Sequence, residues 1–170
     1  MVEFGSNSQQ APRFAVATLG CRLNQAESDE LERRLAAAGL VSVEPEDGAD
    51  IYVVNTCTVT HIADRKARHL IRQLKRSNPG AIVVATGCYA QVAPGELLNM
   101  PEVDLVVPNR EKDRLPDIVL GEWTQRFGPI PSRLGDLAVG AYTWVDRPGR
   151  ARALLKIQDG CNYVCAFCIV

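Results

Sequence analysis

The sequence lacks several features that would assign it at once to a special class of protein. Its 170 residues carry a formal net charge of −1 and include only two histidines, so bulk charge does not draw the chain onto DNA or an anionic membrane. No apolar run approaches the roughly 18 residues of a membrane span, and no glycine-rich phosphate-binding motif follows an apolar run. Residues 1–11 are polar, and we expect them to be disordered and not to form a signal peptide. The sequence predicts a soluble, cytoplasmic protein without membrane contacts.

Six cysteines stand out against this background. In a small secreted protein an even number of cysteines would suggest disulfides, but in a reducing cytoplasm it favours metal binding or catalysis. The chain is also long enough to bury a hydrophobic core without covalent cross-links. We therefore interpret the cysteines as metal ligands or reactive groups.

Short apolar runs alternate with stretches of helical periodicity in the first part of the chain. The runs are rich in β-branched residues and mostly continuous, which is typical of strands buried on both faces of a parallel sheet. They comprise residues 14–19, 51–55, 81–86 and 103–107. Helices are predicted over residues 25–38, 62–76 and 109–120. Asn24 and Glu27 have the spacing of a capping box, and Gly39 suits the end of the first helix. The alternation predicts a doubly wound, mainly parallel α/β domain over residues 12–120.

The composition changes after residue 120. Residues 121–150 are rich in glycine and proline, which predicts a linker. Residues 151–158 alternate enough to form one strand, and the chain then turns into its last cysteine group. Because a strand and a loop cannot bury a core by themselves, we expect residues 151–170 to begin a second domain of a longer protein.

The later cysteine group is a triplet, formed by Cys161, Cys165 and Cys168 with the spacing C-x3-C-x2-C. Three thiolates this close in sequence can bind three irons of a cubane cluster and leave the fourth iron open, whereas ferredoxin clusters are usually closed by a fourth cysteine. A structural zinc site prefers four ligands, and no fourth cysteine or histidine lies nearby. The spacing favours an iron–sulfur cluster with an open iron.

The earlier cysteine triplet, Cys21, Cys57 and Cys88, is scattered in sequence, but each member closely follows a predicted strand. The carboxyl ends of parallel strands meet at one edge of a sheet, where ligands bind. A single cysteine in such a place is often only a small buried apolar residue. Three at equivalent points of successive βα units predict a second cluster site.

The residues around both triplets resemble those of a known family. Residues 19–25 (LGCRLNQ), 55–60 (NTCTVT) and 87–91 (GCYAQ) are similar to the three cysteine motifs of the methylthiotransferase family, and residues 156–170 resemble the entry to its radical S-adenosylmethionine domain. The resemblance implies the family's N-terminal fold, followed by the first strand and cluster loop of a partial barrel whose remainder is missing here. It also implies that the chain alone does not complete a catalytic cycle.

The resemblance assigns a role to each triplet. Cys161, Cys165 and Cys168 would hold a 4Fe–4S cluster that binds S-adenosylmethionine and, after reduction by an electron donor protein, generates a 5′-deoxyadenosyl radical. Cys21, Cys57 and Cys88 would hold an auxiliary 4Fe–4S cluster carrying the sulfur to be methylated. The residues after Cys57 and Cys88 resemble the branch that acts on N6-threonylcarbamoyladenosine at position 37 of tRNA. The alternatives within the family are isopentenyladenosine in tRNA and an aspartate of a ribosomal protein.

A basic stripe is predicted on the second helix, where Arg65, Arg68, Arg72 and Lys75 recur at helical spacing opposite the apolar face. An ordinary solvated helix face would carry the same pattern. Because this helix follows the Cys57 loop, the stripe could also contact phosphates of the tRNA anticodon arm. His61, in the same stretch, could approach a cluster or simply pack.

Two readings outside the family remain open at this level. One is a non-catalytic zinc or iron–sulfur binding module that uses the same cysteines. The other is a flavodoxin-like nucleotide binder, which the lack of a phosphate-binding motif disfavours.

Overall fold

The structure is a computed structural model that describes residues 11–130 and 165–166. Five parallel strands form one sheet in the order β2-β1-β3-β4-β5. The strands are β1 (Arg13–Thr18), β2 (Val41–Ser42), β3 (Ile51–Thr56), β4 (Ile82–Gly87) and β5 (Leu105–Val107). This order reverses direction between β1 and β3, which is where ligands bind in sheets of this topology.

Helices cover both faces of the sheet. They are α1 (Arg22–Ala37), α2 (His61–Ser77), α3 (Cys88–Val92), α4 (Pro94–Leu98) and α5 (Leu115–Phe127), with 3₁₀ helices at Pro45–Asp47 and Asn109–Arg114. Leu31 and Leu35 of α1 share a core with Leu115 and Val119 of α5 on one face. Helices α2, α3 and α4 pack on the other face, against alternate residues of the same strands. All residues of β3 and β4 are therefore buried, as the continuous apolar runs predicted. The predicted doubly wound, parallel α/β fold is confirmed.

Several local predictions are also confirmed. The helix over residues 62–76 is present as α2, and Thr60 caps it by accepting a hydrogen bond from the Ala63 N–H at 3.1 Å. Gly39 follows the end of α1 with a φ of +93°, a conformation that favours glycine. The short edge strand β2 and the helices α3 and α4 were not predicted, because segments this short show no clear periodicity.

Two predictions at helix ends are wrong. Asn24 and Glu27 do not form a capping box, because α1 already begins at Arg22 with Cys21 as its N-cap residue. Instead of one helix over residues 109–120, a 3₁₀ helix covers Asn109–Arg114 and α5 runs from Leu115 to Phe127. The helix continues past residue 120 because Trp123 packs on the core and Arg126 pairs with Glu122 and Asp104. The predicted linker therefore begins with helical residues.

None of the helices in the described residues is long and apolar enough to cross a membrane. The residues that the sequence analysis assigned to a disordered N-terminus, to most of the linker and to the start of a second domain lie outside the described residues.

Candidate functional site

The earlier cysteine triplet lies at the carboxyl edge of the sheet, as the sequence predicted. Cys21 is the N-cap residue of α1, Cys57 directly follows β3, and Cys88 directly follows β4 as the first residue of α3. Cys57 is buried, Cys88 is partly buried and Cys21 is exposed. The three strands involved are neighbours in the sheet, so β1, β3 and β4 deliver one thiol each to the same edge.

Two glycines allow the cysteine loops to approach each other closely. Gly20 has a φ of +118°, and a Cβ atom added to it would lie 2.5 Å from Cβ and 3.1 Å from Sγ of Cys57. Gly87 has a φ of +95°, and a Cβ atom there would lie 2.3 Å from the backbone oxygen of Thr56. Any side chain at either position would push adjacent cysteine loops apart, so both positions require glycine.

Buried asparagines hold the first two cysteine loops together. The Asn24 side chain donates to the Leu19 carbonyl at 2.9 Å and to the Thr56 carbonyl at 3.0 Å. The Asn55 side chain donates to the Asn24 carbonyl at 2.9 Å and to Ser28 Oγ at 3.1 Å. These bonds cross-link the segment before α1 to the end of β3, which fixes Cys21 relative to Cys57.

One acceptor in this network is left over. Asn55 is fully buried, and its Oδ1 atom has no hydrogen-bond partner among the described residues. A Cβ atom at Gly87 would lie 2.6 Å from this oxygen, so Oδ1 faces the loop that carries Cys88. An unsatisfied buried acceptor costs free energy, and in a native protein such a group calls for an explanation, such as a strained site or a bound ligand or water.

The thiols influence each other electrostatically. Burial raises the pKa of the Cys88 thiol, and Cys57, Glu27 and Cys21 raise it further, whereas Lys112 lowers it. The close approach of Gly20 to Cys57 and of Gly87 to Thr56 brings the three cysteine loops together. Within the described residues, no group of three His, Cys, Asp or Glu side chains is arranged to hold a metal ion.

A model of one protein family matches residues 13–108, more than half of the chain, and describes an uncharacterized protein family, UPF0004. The matched range contains Cys21, Cys57 and Cys88 together with all five strands. The chain belongs to this family.

Curated relatives of this UPF0004 chain are named as methylthiotransferases. A threonylcarbamoyladenosine tRNA methylthiotransferase of Aquifex aeolicus is 45% identical over 161 residues, covering 93% of this chain and 39% of the relative. One of Bacillus subtilis with the same name is 38% identical, covering 92% of this chain and 35% of the relative. A ribosomal protein uS12 methylthiotransferase of Roseiflexus is 35% identical, covering 93% and 38%. The chain thus spans little more than a third of the length of these relatives.

The triplet of this UPF0004 chain fits an iron–sulfur cluster in its donor chemistry. Thiolates are the usual ligands of such clusters, and each cysteine binds a separate iron. The three sulfurs therefore have to surround a cluster without converging on a single point. The glycines at positions 20 and 87 let the backbone close up around the site, and the Asn55 oxygen faces the loop that carries Cys88.

Of the second cysteine triplet, one member lies among the described residues. Cys161 and Cys168 lie outside the described residues, and Cys165 is exposed.

The basic stripe of α2 is largely engaged within the protein. Arg68 lies 3.3 Å from Glu96, Arg72 lies 3.7 Å from Glu102, and Lys75 lies 2.8 Å from Asp104. Arg68 also donates to the Tyr89 hydroxyl. Of the four predicted residues, only Arg65 is exposed without an ion-pair partner in the described part of the chain.

The His61 side chain does not pack in the core. His61 is the first residue of α2, fully exposed, and its Nδ1 atom lies 3.9 Å from an Asp64 oxygen.

Sequence reasoning missed several polar residues of this site. Asn55 was read as part of a strand, and Glu27 as half of a capping box, whereas Lys112 was not singled out. Lys112 lies 85 positions from its partner Glu27, and no local pattern signals a contact over such a separation. The asparagine that ends the predicted apolar run of residues 51–55 was the one available signal.

Proposed function

We propose that this chain provides the auxiliary cluster site of a radical S-adenosylmethionine methylthiotransferase that converts N6-threonylcarbamoyladenosine at position 37 of tRNA to its 2-methylthio form. The observation that carries the proposal is the delivery of Cys21, Cys57 and Cys88 to one edge of the sheet. The names of the Aquifex and Bacillus relatives support the reaction and the substrate. Because those relatives are far longer, we expect the chain to be inactive alone.

Two sets of residues would hold the cofactors in this proposal. Cys21, Cys57 and Cys88 would hold the auxiliary 4Fe–4S cluster, and Cys161, Cys165 and Cys168 the cluster that binds S-adenosylmethionine. When bound, the two clusters supply the sulfur of the methylthio group and the one-electron cleavage of S-adenosylmethionine, respectively.

The residues of this chain position and shield the site. Asn24 and Asn55 tie the loops of Cys21 and Cys57 to each other through three hydrogen bonds. Burial of Cys57 keeps water from one side of the site. The Cys88 thiol must lose its proton when it becomes a ligand. Because its pKa is raised, cluster assembly on the triplet should improve as pH rises.

Replacing Cys57 with alanine tests the auxiliary site. After anaerobic reconstitution with ferrous iron and sulfide, the unmodified full chain should bind two clusters and the Cys57→Ala chain only one. A matched Cys165→Ala chain should lose the other cluster. Unchanged iron and absorbance in Cys57→Ala would refute the assignment, and tightly bound zinc in a colourless protein would favour a structural zinc module.

The substrate is tested on tRNA. Nucleoside mass spectrometry of cells lacking the complete gene should show loss of the methylthio group from threonylcarbamoyladenosine. Loss from isopentenyladenosine instead would move the substrate to the other tRNA branch. The 35% identity to the Roseiflexus enzyme keeps a ribosomal protein as second candidate, and unchanged tRNA with an altered ribosomal protein would favour it.

The ion pairs of α2 reduce the number of basic stripe residues that we expect to contact tRNA phosphates. Among the described residues, Arg65 is the member of the stripe that has no intramolecular ion pair to break. Arg65→Glu should therefore weaken binding of an anticodon stem-loop in a salt-dependent way. Arg33→Glu, on α1 at the opposite face of the sheet, is the charge-reversal control; it also breaks a pair with Glu30 and should have little effect on binding. Equal effects of the two reversals would indicate nonspecific attraction.

A further inference from the structure

Lys112 and Glu27 form the most buried ion pair among the described residues. Lys112 Nζ lies 2.6 Å from Glu27 Oε2, and the two side chains are 10% and 8% exposed. Ion pairs elsewhere in this part of the chain leave more of their side chains in solvent, as Lys75 and Asp104 do at 20% and 13%. Burying both charges has a large desolvation cost, and well-packed apolar residues often stabilise a fold as much. The pair therefore calls for a reason beyond stability.

Its position supplies a reason. Glu27 lies on α1, the helix that begins at Cys21, and Lys112 lies on the 3₁₀ helix that follows β5. This 3₁₀ helix contacts α3, the helix that begins with Cys88, and also β4. The pair thus bridges the elements that carry two of the three cysteines, at the carboxyl edge of the sheet.

The pair brings one negative and one positive charge to the elements around the cysteine site. Glu27 lies on α1, which begins after Cys21, and the 3₁₀ helix of Lys112 contacts α3, which begins with Cys88. A Glu27 carboxylate without the Lys112 charge would repel the three thiolates and the anionic cluster that they would hold. Charges near an iron–sulfur cluster also change its reduction potential.

We infer that Lys112 is a positioning residue for the cluster site on Cys21, Cys57 and Cys88: it holds Glu27 in place and cancels the negative charge that Glu27 brings to the site. This inference rests on the proposed auxiliary cluster. It concerns the charge balance of the site, because the packing that the pair supplies could come equally from apolar side chains.

The test uses the full chain with Cys161, Cys165 and Cys168 all replaced by alanine, so that a single cluster is measured. In this parent we would compare Lys112→Met, Lys112→Arg and the charge-balanced double variant Lys112→Met/Glu27→Gln. Lys75→Met is the matched control. It breaks the partly buried ion pair that Lys75 forms with Asp104 at the opposite edge of the sheet. Each chain is reconstituted anaerobically with ferrous iron and sulfide, and its iron content and reduction potential are measured.

We expect Lys112→Met to lose iron, or to retain it with the potential shifted to more negative values, because the positive charge of Lys112 is then missing beside the site. Lys112→Arg and the double variant should return both readouts toward the parent, and Lys75→Met should leave them unchanged. If Lys112→Met is too unstable to isolate, recovery of cluster binding in the double variant still supports the inference.

Two results would overturn the inference alone. One is a parent-like potential and iron content in Lys112→Met. The other is a double variant as impaired as the single one, which would reduce the pair to a packing role. A parent that binds no iron would instead refute the proposed auxiliary site, and the inference would fall with it.

Discussion

The two edges of the parallel sheet are both rich in polar side chains, but they use them differently. At the amino edge, Asp50 accepts from the Arg13 N–H and Asp104 accepts from the Val83 N–H, each at 2.8 Å. Asp104 also accepts from Lys75 and Arg126. At the carboxyl edge, a fully buried Asn55 oxygen has no partner in the described residues, and free thiols follow three strands.

This difference fits a stabilising role for the amino edge and the proposed cluster site at the carboxyl edge. At the amino edge, Asp50 and Asp104 close the ends of strands, and Asp104 is matched by Lys75 and Arg126. The carboxyl edge keeps an unused acceptor, two glycines pressed against neighbouring loops and a charge pair beside the thiols. Substitutions at the two edges should therefore affect stability and ligand binding to different extents.

Gly87→Ala should give the largest loss of stability at the carboxyl edge. The new Cβ atom would lie 2.3 Å from a backbone oxygen at a φ of +95°, which combines backbone strain of about 1–2 kcal/mol with overpacking of about 1–3 kcal/mol. The free energy of unfolding, measured with urea, should fall by about 2–5 kcal/mol.

Gly39→Ala is the matched control for this prediction. Its φ is +93°, but no atom lies within 4 Å of the added Cβ, so only the strain of about 1–2 kcal/mol remains. Equal losses in the two variants would show that the cysteine loops do not pack as tightly as the structure indicates.

Asp104→Asn should give the next largest loss, at the amino edge. Burial alone would raise the pKa of Asp104, but hydrogen bonds from Lys75, Val83 and Arg126 outweigh it and lower the pKa. The carboxylate therefore stabilises the fold above its ordinary pKa, near pH 4, and this contribution disappears as pH falls through the lower pKa of the folded state. Replacing it should cost about 2–3 kcal/mol at neutral pH.

Urea unfolding at pH 7 and at pH 3 checks this prediction. The loss caused by Asp104→Asn should be smaller at pH 3, since the wild-type carboxylate is then partly protonated. Asp113→Asn, whose side chain is 97% exposed, should change stability little at either pH. A pH-independent loss in Asp104→Asn would contradict the electrostatic account of this edge.

The smallest effect is expected on the alkylation rate of the Cys88 thiol. Because its pKa is raised, less thiolate is present at a given pH and alkylation is slower. The rate for Cys88 in the metal-free chain should still rise above about pH 8.5, where an ordinary thiol is already half ionised. Mass spectrometry after timed iodoacetamide labelling gives this pH profile. In Cys57→Ala the profile should move to lower pH, whereas a profile unchanged by this substitution would argue against close thiols.

Local patterns predicted much of the fold. The β-branched runs at 51–55 and 81–86 became the two fully buried central strands, since only a strand covered on both faces accommodates such continuous apolarity. The same runs predicted where the cysteines lie, because each thiol closely follows a strand and parallel strands end at a common edge of the sheet. One kind of failure occurred where the pattern was too short, as in β2. The other occurred where a long-range contact extended an element, as the ion pair of Arg126 with Asp104 does for α5.

The sequence by itself therefore determined the alternation of elements and the edge at which Cys21, Cys57 and Cys88 meet. Both follow from periodicity and chain order, which act over a few residues. Only the tertiary structure decided that Asn24 links two loops, that three members of the basic stripe are in ion pairs and that Lys112 reaches Glu27. Those contacts join positions far apart in the chain, and they form only when packing brings their elements together.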